Sequence, residues 1–268
     1  MQAIRPAAVA GSFYPGEPSA LAAEVASYLA EAPRAATGAR APKALIAPHA
    51  GYVYSGPIAA GAYARFAGLR GAVRRVVLLG PAHREWVPGA AVPGATAFRT
   101  PLGVVAIDRE AIGRLRTLPF VQSSDRAHAL EHSLEVHLPF LQAVLGDFEL
   151  VPVVVGGASP AEVARLLDEV WGGDETRIVV SSDLSHYLPY RQARDRDRGT
   201  AEAILRLEDR LVPDEACGAA PINGLLAAAR RRNLAIELID LRNSGDTAGD
   251  RDRVVGYGAF ALVEPPHA

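Results

Sequence analysis

The stretch VVLLGPAHREW, residues 76–86, decides the fold class. Its first four residues are apolar and partly β-branched, with no polar face, which is typical of a central strand covered on both sides. Gly80 and Pro81 end this strand, and His83 follows just beyond it. Two other stretches, ALIAPHAGY and RIVVSSDLSHY, show the same order of apolar strand and then histidine. The three together indicate neighbouring strands that share one polar edge.

Strand and helix patterns alternate along the rest of the chain. A helix is predicted in PIAAGAYARFAGL, with Pro57 in its first turn, and a hairpin in AFRTPLGVVAID. A helix is predicted in EHSLEVHLPFLQAVL, with either a kink or a helix start at Pro139. Such alternation predicts an α/β fold with a largely parallel sheet and helices on both faces. Because no linker or composition break is found, residues 1–268 are expected to form one domain.

The composition excludes several classes of protein. Lys and Arg number 28 against 30 Asp and Glu, so no bulk attraction to nucleic acid or to an anionic membrane is expected. No run of 18 apolar residues is present, and the first residues lack the apolar core of a signal peptide. Cys217 is the only cysteine, which rules out an internal disulfide and fits a reducing cytoplasm.

The polar residues that follow the three strands predict a shared site. His49, His83 and the pair Asp183 and His186 come just after the three apolar runs. In open α/β sheets, ligands bind outside the carboxyl ends of the strands. Imidazole is both the commonest metal ligand and the usual acid–base group near neutral pH. We therefore expect a crevice in which these side chains face one another.

A metal site there needs a third protein ligand, and the spacing alone does not choose it. The candidates are Cys217, Asp183, Glu131 and His186. From its local sequence alone, Cys217 is as well explained as a small buried apolar residue.

The segment RAHALEHSLEVH, residues 126–137, supplies further candidates. We interpret Glu131 and His132 as lining the same crevice, and the rest of the segment as helix surface. Tyr52 and Tyr54, close to His49 in GYVYSG, are interpreted as substrate-binding residues of that crevice, although packing is the alternative.

Taken together, several long motifs resemble the Memo family, known in prokaryotes as AmmeMemoRadiSam system protein B. The resemblance extends from Gly11 to Tyr257 with the motifs in the family's order: AGSFYP, APHAGYVYSG, GPAH, EHSLEVHLPFL, SSDLSHY, CGAAPI and GDRDRVVGY. It implies a three-layer α/β/α fold similar to that of class III extradiol dioxygenases, which are non-haem Fe(II) enzymes.

The resemblance also implies a ligand set. His49 of APHAGY and His83 of GPAH match two histidine ligands, and Cys217 of CGAAPI matches the family's cysteine. His186 of SSDLSHY matches the acid–base histidine, with Asp183 beside it. This reverses the interpretation of Cys217 as a packing residue.

Three functions follow as alternatives. The first is an oxidoreductase that depends on Fe(II) or copper. The second is a zinc-type hydrolase with Asp183 or His186 as base. The third is a non-enzymatic metal-binding or peptide-binding partner of AMMECR1-like and radical SAM proteins, which the family name implies. Fe(II) is the preferred cofactor, with copper and zinc as alternatives, and the expected substrate is a small molecule or a peptide.

Overall fold

The computed structural model of the chain describes residues 3–33 and 40–265. Its strands are β1 Ile4–Arg5, β2 Ala44–Ala47, β3 Arg75–Pro81, β4 Ala90–Val92, β5 Ala97–Thr100, β6 Gly103–Ala106, β7 Val121–Ser123, β8 Glu149–Val155, β9 Thr176–Ser181, β10 His186–Leu188, β11 Ala235–Asn243 and β12 Val254–Val263. Its helices are α1 Pro18–Glu31, α2 Tyr52–Tyr63, α3 Arg109–Leu115, α4 Asp125–Ala129, α5 His132–Glu135, α6 Leu138–Leu145, α7 Pro160–Val170, α8 Tyr190–Leu205 and α9 Ala219–Arg231.

The main sheet is mixed, with a parallel centre. Its order is β10-β12-β2-β9-β3-β8-β4-β7, and β11 also pairs with β12. Strands β2, β9, β3 and β8 are parallel to one another, whereas β12 and β4 join this centre antiparallel. A second, three-stranded sheet contains β1, β5 and β6, and its β5–β6 pair is the predicted hairpin.

Helices cover the sheet in two layers. On one side α1, α2 and α6 pack together, with α2 against β2, β11 and β12. Another group is formed by α7 and α9, with α9 against β3 and β9. The four central strands bury nearly every side chain, as their continuous apolar runs require. The predicted three-layer α/β/α architecture is confirmed.

The three strands that carry the polar ends are adjacent. Ala47 at the end of β2 pairs with Ser181 at the end of β9, and Leu79 of β3 pairs with Val180 of β9. The prediction that these strands are neighbours in one sheet is therefore confirmed. Each strand is followed, two residues after its end, by a chemically active side chain, namely His49, Asp183 or His83. The parallel register thus brings the three to one edge.

One helix differs from its prediction, whereas the interruption expected at Pro139 is present. Helix α2 begins at Tyr52, not near Pro57, because the N–H of Tyr52 donates to the Phe13 carbonyl and fixes the start of the helix earlier. The segment that carries Pro139 is two helices, α5 and α6, with Pro139 in the first turn of the second. Proline is well tolerated there because the first N–H groups of a helix have no partner within it.

An N-terminal segment is fastened onto α5 by a buried carboxylate. Glu135 accepts hydrogen bonds from the Arg5 guanidinium, the Tyr14 hydroxyl and the backbone N–H groups of Ala8 and Val9. Its side chain is fully buried. A charge in that position is stable only because every partner is present. Through this contact, residues 5–14 close over the elements that bear the candidate site.

No helix within residues 3–33 and 40–265 is long and apolar enough to cross a membrane.

Candidate metal centre

His49 lies at the floor of the site, just after β2. It is 2% exposed, and its Nδ1 is 2.6 Å from the hydroxyl of Ser181 at the end of β9. The backbone N–H of His49 donates to Asp183 Oδ1 at 2.8 Å. The neighbouring parallel strand therefore holds both the ring and the backbone of His49, and Nε2 is left facing the centre of the site.

His83 follows β3 and is held by Glu131. The His83 Nδ1 lies 2.9 Å from Glu131 Oε1, and the His83 backbone N–H donates to Oε2 at 2.6 Å. Glu131 is the N-cap of α5 and also accepts from the N–H of Ser133. Burial raises the pKa of Glu131, but these hydrogen bonds outweigh burial and lower the pKa to about 2. The carboxylate is therefore ionised at neutral pH.

His132 completes a three-histidine cluster. One ring nitrogen from each of His49, His83 and His132 lies within 4.8 Å of the other two. The rings of His83 and His132 stack with centroids 4.7 Å apart, and both are close to the His49 ring. The Nδ1 of His132 is buried without a hydrogen-bond partner. Metal–nitrogen bonds of about 2.1 Å put two ligands of one ion at most about 4.2 Å apart, so the three imidazoles could hold one ion after a small inward shift.

Cys217 stands beside this cluster. Its sulfur is 3.3 Å from His49 Nε2, and its backbone N–H donates to the Asp183 carbonyl. The next residue, Gly218, lies so close to β9 that an added Cβ would be 2.5 Å from the Ser181 carbonyl oxygen. That close approach requires glycine and brings the cysteine to the site. Among the described residues, however, the group within 4.8 Å contains His132 and not Cys217.

Burial shifts the pKa values of the side chains that could bind a metal. It lowers the pKa of His49 well below the usual value, and the neighbouring His83 and His132 add to the shift. Burial also lowers the pKa of His132 to about 4, although the negative charge of Glu131 acts to raise it. The two imidazoles are therefore neutral near pH 7, as metal ligands must be. In contrast, burial, with the Asp183 charge, raises the pKa of the Cys217 thiol to about 12.

The cluster forms one wall of an open crevice with a volume of about 610 Å³. Asp183 and His186 line the crevice as well. Burial raises the pKa of Asp183 to about 7, and the hydrogen bond from the His49 N–H only partly opposes it. Burial also lowers the pKa of His186. The structure thus brings together His49, His83, His132, Asp183 and His186, with Cys217 against His49.

The two tyrosines are separated by the structure. Tyr54 lines the crevice. Tyr52 is buried beneath it, and its hydroxyl donates to the Val136 carbonyl at 2.6 Å, so its contacts are those of a core residue. Local sequence did not reveal that Arg84, Arg253 and Phe13 also line the crevice. Arg84 could have been found from its place next to His83, whereas the other two come from distant segments.

The remainder of the 126–137 segment is not helix surface, so that interpretation is wrong. His128, Glu135 and His137 are all at most 1% exposed. His128 contacts the Ala91 carbonyl through Nε2, and His137 Nδ1 is 2.7 Å from the Tyr63 hydroxyl. The helix breaks between α4 and α5, so each part turns a different side to the core.

These buried histidines predict that stability falls in acid. Burial lowers the pKa of His128 to about 4 and that of His137 to about 3, against about 6.5 in the unfolded chain. Between these values the unfolded state binds more protons, so the free energy of unfolding falls as the pH drops below 6.5. We expect His137→Gln to reduce this slope by up to about 1.4 kcal/mol per pH unit.

Urea unfolding of metal-free protein at pH 7, 6 and 5 measures this effect. An unchanged slope in the His137→Gln variant would show that His137 is already protonated in the folded state.

A larger cavity, of about 790 Å³, lies at the opposite end of the central strands, where β3 and β8 begin. It is lined by residues at the starts of β3 and β8, including Arg74 and Glu149, and none of its lining residues is a histidine or a cysteine. Of the residues that line these two cavities, the histidines all belong to the smaller crevice.

Comparison with known proteins identifies the family of this chain. The family model described as "Memo-like protein" matches residues 5–261. A protein named "MEMO1 family protein" from Ignicoccus hospitalis is 38% identical, over 98% of this chain and 99% of its own. Another of that name from Aquifex aeolicus is 36% identical, over 95% of this chain and 97% of its own. Likeness of this extent, along nearly the full length of both chains, shows that this chain belongs to the Memo family.

Proposed function

We propose that this chain is a metal-dependent oxidoreductase. The observation that carries the proposal is a group of three imidazole donors, His49, His83 and His132, on the wall of a crevice that is open to small molecules. Structural metal sites are usually closed by four protein ligands, whereas catalytic sites keep a position for substrate. Three donors beside an open crevice favour the catalytic type.

For the third donor, the geometry favours His132. Its ring nitrogen lies within 4.8 Å of those of His49 and His83, and its Nδ1, which has no hydrogen-bond partner among the described residues, is 3.5 Å from Glu131 Oε1. The family resemblance favours Cys217, whose sulfur is 3.3 Å from His49 Nε2. The thiol would have to lose a proton that burial retains, with a pKa of about 12. We therefore take His132 as the third ligand and Cys217 as the competing one.

The proposed ion is Fe(II), with copper and zinc as alternatives. Imidazole donors suit all three metals, whereas a thiolate would shift the preference towards Cu(I) and Zn. When bound, a redox-active ion would exchange electrons with the substrate and the oxidant in the crevice.

His186 and Asp183 are proposed to move protons. Both line the crevice that holds the imidazole cluster. Because burial raises the pKa of Asp183 to about 7, the acid and the base form are both populated near neutral pH. Asp183 also accepts from the backbone of His49, so it is held rigidly against the site. His186, on the outer strand β10, faces the same space from the other side of β12.

The same carboxyl group is the observation that favours a second candidate, a zinc-dependent hydrolase. A general base with a pKa near 7 beside a metal site is the arrangement needed to activate water. A small molecule or a peptide remains the proposed substrate, and the cytoplasm the proposed compartment. AMMECR1-like and radical SAM proteins are proposed partners through the family resemblance.

The metal content and reaction of the wild type separate these candidates, and His186→Ala tests the proposed acid–base role. We expect the wild type, purified without oxygen, to contain close to one redox-active ion per chain and to consume O2 with ascorbate and a panel of phenols and thiols. The His186→Ala variant should keep its metal content and lose about 10²–10⁴-fold in turnover, as expected for a general acid–base.

Zinc content together with hydrolysis of p-nitrophenyl acetate would instead favour the hydrolase. Loss of the metal from the His186→Ala variant would make His186 a ligand and contradict its proposed role.

A further inference from the structure

We propose that Glu131 is the positioning carboxylate of this centre, which orients the His83 imidazole and anchors the helix that carries His132. The inference rests on the metal centre proposed above. It gives Glu131 a role different from the substrate contact that the sequence predicts.

The contacts of Glu131 all point to the donors. Oε2 accepts from the backbone N–H of His83 at 2.6 Å, and Oε1 is 2.9 Å from the His83 Nδ1. Oε1 also accepts from the N–H of Ser133 at 2.9 Å, which caps α5 just after His132. One side chain therefore fixes the ring of one donor and the helix start that bears another.

The position of Glu131 does not suit a substrate contact. The residue is 1% exposed and is not among the described residues that line the crevice. A carboxylate buried to this extent is stable only where hydrogen bonds replace its water. Here those bonds come from His83 and Ser133, and Oε1 also lies 3.5 Å from the Nδ1 of His132.

The carboxylate also decides which nitrogen of His83 can bind a metal. An ionised carboxylate only accepts hydrogen bonds, so the Nδ1 of His83 must carry the proton of this hydrogen bond. Nε2 is then left with its lone pair for an ion. Carboxylates that hold a ligating histidine in this way raise its basicity, and their loss typically costs 10–100-fold in metal affinity.

His49 lacks such a fixed tautomer. Its Nδ1 faces the hydroxyl of Ser181, which can donate or accept. His49 is the more buried of the two imidazoles, and packing holds its ring in place. His83 is the more exposed donor, so its orientation depends on the carboxylate.

The test compares Glu131→Gln with Glu85→Gln in the full-length protein. Gln offers one acceptor oxygen where Glu offers two, and its NH2 group opposes one of the His83 donors. Using Zn²⁺ as a redox-inert probe in competition with a chelator, we expect Glu131→Gln to weaken binding 10–100-fold. Glu85 follows His83 by two residues, is not among the described residues that line the crevice, and pairs with the exposed Arg126, so Glu85→Gln removes the same charge without touching an imidazole. It should bind zinc within about twofold of the wild type, since surface ion pairs contribute little.

A second measurement needs no variant. Long-range ¹H–¹⁵N spectra of the metal-free wild type should show His83 with its proton on Nδ1. In Glu131→Gln that preference should weaken, which a purely structural role for Glu131 would not produce.

The proposal is overturned if His83 carries its proton on Nε2, or if folded Glu131→Gln binds zinc as the wild type does. If Glu131→Gln does not fold, Glu131→Asp and the wild-type spectrum still decide. A wild type that binds no zinc, copper or Fe(II) would contradict the proposed metal centre, whereas the spectrum would still report the Glu131–His83 hydrogen bond.

Discussion

Replacing His49 by alanine is expected to weaken metal binding by about 10²–10³-fold. A four-ligand zinc site binds with roughly 10–16 kcal/mol, which is about 3–4 kcal/mol for each ligand, and 1.4 kcal/mol corresponds to one factor of ten. His49 is a ligand whether the third ligand is His132 or Cys217, because it belongs to the histidine cluster and its Nε2 is close to the Cys217 sulfur.

Metal content after dialysis and a chelator competition titration measure the loss. His128→Gln is the matched control, because His128 is as deeply buried as His49 but lies outside the cluster and contacts the Ala91 carbonyl. That variant should lose stability and keep its metal. If His49→Ala were to retain close to one tightly bound ion per chain, the centre would have to lie elsewhere.

The third ligand is decided by a pair of variants, His132→Phe and Cys217→Ser. Phenylalanine keeps the ring that stacks on His83 and packs near Phe13, so it removes the nitrogen donors with little change in packing. We expect His132→Phe to weaken metal binding by about 10²–10³-fold, on the same estimate per ligand. Cys217→Ser should change it by less than about threefold, because the Cys217 sulfur is not part of the group of three imidazole nitrogens.

Both variants are titrated with Zn²⁺ and with Fe(II) under anaerobic conditions, and their thermal unfolding is recorded as a control for folding. The reverse result, a large loss in Cys217→Ser and a small one in His132→Phe, would restore the His2Cys set that the family resemblance implies. Equal large losses would indicate that both side chains bind the ion together, after a rearrangement of the metal-free site.

Much of the fold could be predicted from local sequence. Residues 76–79 are apolar without a polar face, and only a strand covered on both sides buries such a run completely, as β3 does. The predicted end of the strand was two residues early, because Gly80 and Pro81 still pair with Val154 and Val155 of β8. The same reasoning applied to the other two strands predicted their adjacency and their common polar edge.

The start of α2 could not be predicted in this way. Pro57 is a good local signal for a first turn, but the hydrogen bond from Tyr52 to the distant Phe13 carbonyl sets the helix start five residues earlier. Similarly, His128 and Glu135 have polar side chains that suit a helix surface. Their burial depends on Ala91 and Arg5, which no local pattern connects to them.

For the candidate site, the sequence by itself determined that His49, His83 and Asp183 share one edge, because parallel strands carry whatever follows their carboxyl ends to the same place. Only the tertiary structure showed which further residues complete the site. Glu131 lies 48 residues from His83, and the packing of α5 against β3 turns its carboxylate onto that imidazole and brings His132 into the cluster. Chain contacts at such separation depend on how whole elements pack, which sequence periodicity does not encode.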